Sequence, residues 1–321
     1  MLKSTRLFIA ALLLVLPTAQ AWGGPPPGTG FSGMIRAGVG YLASTDQLKP
    51  QDGNKRVDSL DSDADWYDTV LPLALFELRY VFEGRGAEAY AKTPFGDGGP
   101  PGLAVGAVQP IPDRGAVDAS LWLNPFGDVW EDPYLVSEKR DETSMLEYGI
   151  KVAYEKAWGT DFGIYYSYGR MDVEDDDIGD RFAALRRDGE KHELGVGYTV
   201  QGPYGVIMVP TAEYSRGDLD GQANSFDGYG LKIALRRFSK IYAVNVFLSG
   251  SYEDYDESHP IFGKSREDWN AGGFGIFTFP NLFGSQGFLG DLIAGYSYRN
   301  SNIDFLDART FIAGMMLGYK F

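Results

Sequence analysis

From Phe31 to Phe321 the chain alternates. Segments of about ten residues carry an apolar or aromatic side chain at every second position, with small or polar residues between, and a period of two predicts β-strands. The clearest segment runs from Leu146 to Tyr154. Leu146, Tyr148, Ile150, Val152 and Tyr154 share one face, and Glu147, Gly149, Lys151, Ala153 and Glu155 take the other. The same split recurs in Leu194–Val200, Tyr229–Leu235 and Tyr242–Tyr252, and in a final segment with Phe311, Ala313, Met315, Leu317, Tyr319 and Phe321 on one face. The pattern predicts fourteen strands: 31–44, 70–83, 87–93, 103–110, 116–125, 144–157, 161–172, 191–201, 204–216, 226–238, 241–254, 269–279, 287–299 and 310–321. The third and fourth are short and rich in Ala; as a loop hairpin they would lower the count to twelve.

Connections after even-numbered strands are tight, as in PDRG near Asp113, WGT at Trp158 and GPYG at Gly202. Those after odd-numbered strands are longer and polar, among them Thr45 to Thr69, Gly127 to Thr143 and Val173 to Lys191. Short turns alternating with long loops are what an antiparallel up-and-down barrel of an outer membrane requires, with the turns toward the periplasm. Aromatic residues sort into two rows: Phe31, Tyr80, Phe162, Tyr198, Phe279, Phe288, Tyr319 and Phe321 at the turn ends, and Tyr41, Tyr148, Tyr214, Tyr252 and Phe311 near the loop ends. Two aromatic girdles are expected at the two membrane interfaces.

The polar faces then line the lumen. Arg36, Glu77, Arg79, Asp118, Glu147, Lys151, Glu155, Glu193, Glu213, Lys232, Arg236, Asp291 and Lys320 are the expected inward charges. A charge turned to lipid would cost roughly 2–4 kcal/mol at the midplane, so the inward assignment is energetically favoured. Both signs are present. They fit either a salt-bridged plug or a polar pore.

Composition supports export to such a membrane. Lys3 and Arg6, the apolar run Leu7 to Leu16, and Ala19 with Ala21 have the three parts of a cleaved signal peptide over residues 1–21, and the apolar run is too short to span a bilayer. A Pro/Gly-rich lead-in follows over residues 22–30, and the barrel occupies 31–321. Without the signal, 27 basic residues face 44 acidic ones, a balance that argues against nucleic-acid binding. The chain has no cysteine, which excludes disulfides, thiolate metal sites and a cysteine-linked lipid anchor. Tyr319 and Phe321 match the terminal aromatic pattern read by the barrel-assembly machinery of Gram-negative bacteria, although Met316 stands where that pattern usually has glycine.

Three segments are distinctive: Gly30 to Ser44 (GFSGMIRAGVGYLAS), KRVDSL followed by VLPLALFELRYVF to Phe82, and Trp130 to Thr143 (WEDPYLVSEKRDET). In these the chain resembles a bacterial family of outer-membrane β-barrels of unknown function. The resemblance covers nearly the whole mature length and implies fold and location, with no activity attached.

Candidate catalytic and metal-binding groups are sparse. His192 and His259 fall near loop ends, and no spacing pairs either with Ser251 or Ser258 as a lipid hydrolase would need. Asp61, Asp63 and Asp65 alternate in the first long loop, but Trp66 stands where a calcium loop needs glycine. Glu174 to Asp177, Asp180, Asp218 and Asp220 read as solvated loop acids, or as ligands for cations bridging lipopolysaccharide phosphates. The sequence therefore predicts a passive channel for small polar solutes or ions, surrounded by outer-membrane lipid and lipopolysaccharide and needing no cofactor or catalytic residue. A closed structural or surface-interaction barrel is the alternative, and a lipid enzyme a more distant one.

Overall fold

The computed structural model describes residues 28–61, 64–84, 86–94 and 102–321. The expected signal segment, most of the lead-in, and Asp63 lie outside the described residues.

Fourteen antiparallel strands form one sheet in sequence order: β1 (Gly30–Ser44), β2 (Tyr67–Val81), β3 (Glu88–Lys92), β4 (Leu103–Ile111), β5 (Gly115–Trp130), β6 (Glu142–Glu155), β7 (Phe162–Val173), β8 (Gly189–Tyr198, continued by Val200–Gln201), β9 (Val206–Leu219), β10 (Phe226–Phe238), β11 (Ala243–Ser258), β12 (Ser265–Pro280), β13 (Phe288–Ser301) and β14 (Ala308–Lys320). The sheet closes on itself: β14 pairs with β1 from Met34↔Lys320 to Ser44↔Thr310. Phe321 completes the seam through two backbone bonds with Gly33, at 2.9 and 3.0 Å. Close approach at this seam requires Gly38, where a Cβ would lie 1.9 Å from the Met315 carbonyl.

The third and fourth segments pair into the wall, β3 with β2 and with β4, so the count is fourteen and the twelve-strand alternative is excluded. Among the described residues both strands are short, and β3 pairs with the turn-end part of β2, Glu77 to Val81. β5 is longer than its alternation predicts. It runs on to Trp130 through a bulge between Asn124 and Gly127, an extra residue that shifts the side-chain phase and hides the strand from a period-two reading. β8 breaks at Thr199. The break lies beside Pro210 of β9, whose nitrogen has no hydrogen for the ladder.

The outer surface is an apolar belt. Ile35, Val39, Leu121, Ile150, Val196, Leu231, Leu292, Met315 and Leu317 are all exposed on the outward faces. No described helix is long and apolar enough to cross a membrane; a closed barrel crosses with strands that find their backbone partners in one another. Aromatic pairs mark the turn end, including Phe31–Phe321 at 6.2 Å, Phe162–Tyr198 at 4.8 Å and Phe288–Tyr319 at 5.1 Å. Tyr252–Trp269 at 4.8 Å and Tyr214–Tyr229 at 5.5 Å lie toward the loop end.

Three turns share one construction. Trp158, Tyr204 and Phe283 adopt φ of 56–58°, and the glycine after each follows at φ of 72–76°. The glycine tolerates that region freely, whereas the aromatic residue is strained there. All three rings stand well exposed beyond the strands.

Candidate functional site

The loops are the first surprise. Val57, Tyr134, Ile178, Leu185, Ala223, Ile303, Phe305 and Leu306 form one buried cluster, with Leu48, Leu60, Phe182, Ile261 and Phe262 packed against it. These residues come from the connections β1–β2, β5–β6, β7–β8, β9–β10, β11–β12 and β13–β14. Such loops are rooted around the whole circumference of a barrel roughly 25–30 Å across. They can share one cluster only by reaching inward over the mouth. The long loops are therefore a folded cap with an apolar core, which corrects the expectation of solvated polar loops.

Arginines latch the cap. Arg140 is buried and donates to the carbonyls of Gln47 (3.1 Å), Pro133 (2.9 Å) and Asn54, while its guanidinium stacks on Trp130 at 4.5 Å. Burial lowers its pKa to about 10. Arg187 donates to Asp176 (2.8 Å), to the Trp130 carbonyl (2.7 Å) and to the Glu131 carbonyl (3.1 Å). Arg299 of β13 joins Asp46 of the first loop at 3.0 Å and the Leu306 carbonyl at 2.6 Å. Burial alone would raise the Asp46 carboxyl, but Arg299 and Lys49 outweigh it and hold the pKa below the usual value. Asp176 also caps the short helix α1 (Asp177–Arg181) by accepting from Gly179, so this acidic run has a structural use. Asp61 and Asp65 are exposed. Among the described residues no group of three or more His, Cys, Asp or Glu side chains is arranged to hold a metal ion.

Below the cap lies the lumen, and the expected charges face it. Lys232 binds Glu213 at 2.6 Å and lies 3.9 Å from Glu193. The Tyr165 hydroxyl donates to Glu193 at 2.7 Å and to Glu213. Lys151 rests 4.4 Å over the Tyr165 ring. Arg36 meets Asp291 at 2.8 Å, and Thr278 donates to the same carboxylate. Arg79 binds Glu88 at 2.9 Å and also Glu77. Asn124 donates to Glu147 at 2.9 Å, and Tyr90 to Asp118 at 2.8 Å. Glu155 is half-buried and Arg236 buried, and Lys320 lies exposed at the turn end.

The second surprise is an apolar stretch of the lumen wall. Leu42, Leu71, Leu73, Val209, Ala234, Phe247, Phe274, Ile293, Ile312 and Met316 form a buried cluster on inward faces, joined by Leu75, Ile207 and Ile276. They come from β1, β2 and β9–β14. The same strands also carry Arg36, Glu77, Arg79, Arg236, Thr278 and Asp291, so this apolar stretch lies among inward polar groups, and on β9 and β10 Glu213 and Lys232 neighbour Val209 and Ala234. The sequence held a signal for this: Val70 to Phe76 (VLPLALF) is apolar at successive positions, as a strand buried on both faces should be.

Neither histidine has a serine partner among the described residues. His192 points outward and shares a hydrogen bond of 2.7 Å with the Tyr166 hydroxyl through Nδ1. His259 is buried in the cap against Tyr134 and Phe262, at 4.9 and 4.8 Å. Burial, and then Arg266, lowers its pKa to about 4.

Among solved structures, an anion-selective porin from Comamonas acidovorans is similar over 91% of this chain and 98% of its own, at 10% identity and a TM-score of 0.40. A Pseudomonas aeruginosa FadL homologue is similar over 90% of both chains, at 10% identity and 0.42. The CymD monoaromatic hydrocarbon channel is similar over 91% of this chain and 89% of its own, at 10% identity and 0.40. No curated protein matches the chain. A family model does: described as "Protein of unknown function (DUF2860)", it spans residues 30–320, and the chain belongs to that family.

Proposed function

We propose that this protein is a selective outer-membrane channel for small molecules that combine an apolar body with a polar or charged group. The observation that carries the reading is an apolar stretch of inward wall, with Leu73, Phe247, Phe274 and Ile312, set beside polar groups such as the Lys232–Glu213–Tyr165–Glu193 network. A passage open to any small polar solute would gain nothing from an apolar wall, because water wets it poorly and ions cross it at a cost. An amphipathic solute buries its body against one wall and keeps its polar group hydrated or paired at the other. The cap adds selectivity by removing a wide mouth. This narrows the sequence-based expectation of a general polar pore.

Planar-bilayer recording tests the reading. Small, infrequent conductance is expected from the pure protein, with current block by aromatic or alkyl carboxylates and none by sugars of similar size. Large, steady conductance indifferent to both would sink it. Complete absence of conductance and of solute release from vesicles would favour the closed structural barrel.

A further inference from the structure

On the outward face of β12 the side chains shrink below Trp269. Ala271, Gly273 and Gly275 follow at every second position, before Phe277 and Phe279 resume the usual size. Their neighbours are tall. Leu248 of β11 lies across from Gly273, and Tyr298 and Tyr296 of β13 flank Ala271 and Gly273 on the other side. Small residues between tall ones leave a groove of about 550 Å³, floored by Ala271 and Gly273, walled by Tyr296 and Tyr298, and reaching Arg309 of β14. The small run from Ala271 to Gly275 extends about 13 Å along the strand.

The groove opens at the extracellular interface. Tyr252 and Trp269, packed at 4.8 Å, stand one row above Ala271. Phe311, beside Tyr296, belongs to the same aromatic row at the loop end. From there the small residues descend into the apolar belt. The occupant is therefore a molecule of the outer leaflet, with its head at the aromatic row and a chain below.

Arg309 identifies the head. It is exposed on the outward face and stands 5.8 Å from the centre of the Tyr298 ring. A cation turned outward near lipid costs free energy that an anion offsets. Stacking on an aromatic ring uses the face of a guanidinium and leaves its edge, where the N–H donors lie, for a phosphate. Asp254 and Glu267 pair one row above Tyr252 and Trp269, and both are exposed. They would repel a bare phosphate, so the head belongs on the Arg309 side of the groove. Tyr298, an aromatic face with a polar tip, suits a sugar ring there.

We propose that the outer groove between β11 and β13 binds one acyl chain of lipopolysaccharide, with a lipid A phosphate on Arg309 and its sugar against Tyr298. The site faces away from the lumen and stands independently of the channel reading.

The refolded protein is titrated with bis-phosphorylated lipid A in detergent, with EDTA present to remove bridging cations, and bound lipid is counted by native mass spectrometry. One lipid A should stay bound. Removing its phosphates should weaken binding at least about tenfold, the scale of one lost charge-assisted contact. Ala271→Phe fills the groove. Arg309→Gln removes the cation and keeps the backbone bonds between this position and Thr45. Each should weaken binding about fivefold or more while keeping the parent's urea midpoint, and either one decides the matter if the other misfolds. Equal retention of the dephosphorylated lipid, or parental affinity in the folded variants, would overturn the site. Phosphatidylglycerol held as tightly as lipid A would overturn the assignment to lipopolysaccharide. No retention in EDTA would overturn it as well, and restoration by magnesium would then place the lipid on loop carboxylates such as Asp254 and Glu267.

Discussion

At the turn end, strands are joined by a few residues and the geometry is set within the turn; in three of the turns a strained aromatic is followed by a glycine and the chain is reversed. At the loop end, residues from six connections pack into one buried cluster and hold one another in place. The two ends teach different lessons about order. A turn is fixed by local backbone preference, so damage to one stays local. The cap is fixed by burial between distant segments, so damage to one contact spreads.

Arg140→Leu should have the largest effect. It strands the carbonyls of Gln47, Asn54 and Pro133 in a buried site, at a cost of roughly 3 kcal/mol or more. Hydrogen exchange should rise across all six loops while strand protection persists, and bilayer conductance should increase. Loosening confined to residues 131–141 would break the contrast between the ends.

Acid should act on the same end and spare the other. Folded, the cap keeps His259 neutral down to about pH 4, whereas an exposed histidine takes its proton near 6.5. The folded pKa lies below the unfolded one, so the cap is unaffected above pH 6.5 and loses stability as pH falls from there to 4, by up to roughly 3 kcal/mol. Conductance and loop proteolysis should rise through that window, and His259→Phe should flatten the response. An unchanged response in the variant would assign the acid sensitivity to other groups.

Lys232→Met lies between the ends and should leave both alone. It removes the cation from Glu213 and Glu193, costs about 1–2 kcal/mol by analogy with other partly buried pairs, and should shift the reversal potential toward cation selectivity. Tyr204→Asn should be smallest and of opposite sign. Asn tolerates the left-handed region better, so the urea midpoint of the refolded barrel should rise by the equivalent of about 1 kcal/mol or less. A gain at the loop end from this change would contradict the independence of the two.

The same contrast explains what the sequence made legible. Alternation and turn chemistry are local, and strands such as β10 fall where the pattern places them, at 226–238. The bulge after Asn124 defeated that reading for β5 because one extra residue reverses the phase. Charged candidates such as Arg36, Glu213 and Lys232 find ion-pair partners away from the apolar belt, as the cost of turning a charge to lipid leads one to expect, while Lys320 lies exposed at the turn end. The apolar wall was missed because a period-two reading assigns polarity to the inner face by default, and Phe247 or Ile312 looks like a loose position in an otherwise regular strand. The cap was missed because its members, such as Val57, Ile178 and Phe305, are isolated apolar residues among acids, and nothing local says that they meet.

The Asp46–Arg299 pair joins residues 253 positions apart, and Ser44 and Thr310 meet across 266. Both contacts straddle the seam. Neither can form until β14 reaches β1, so the cap is completed only by the last event of folding, the step with the greatest loop-closure cost. A barrel caught with an open seam would show protease an unfinished cap. The latch over the mouth thereby doubles as a seal of completed assembly.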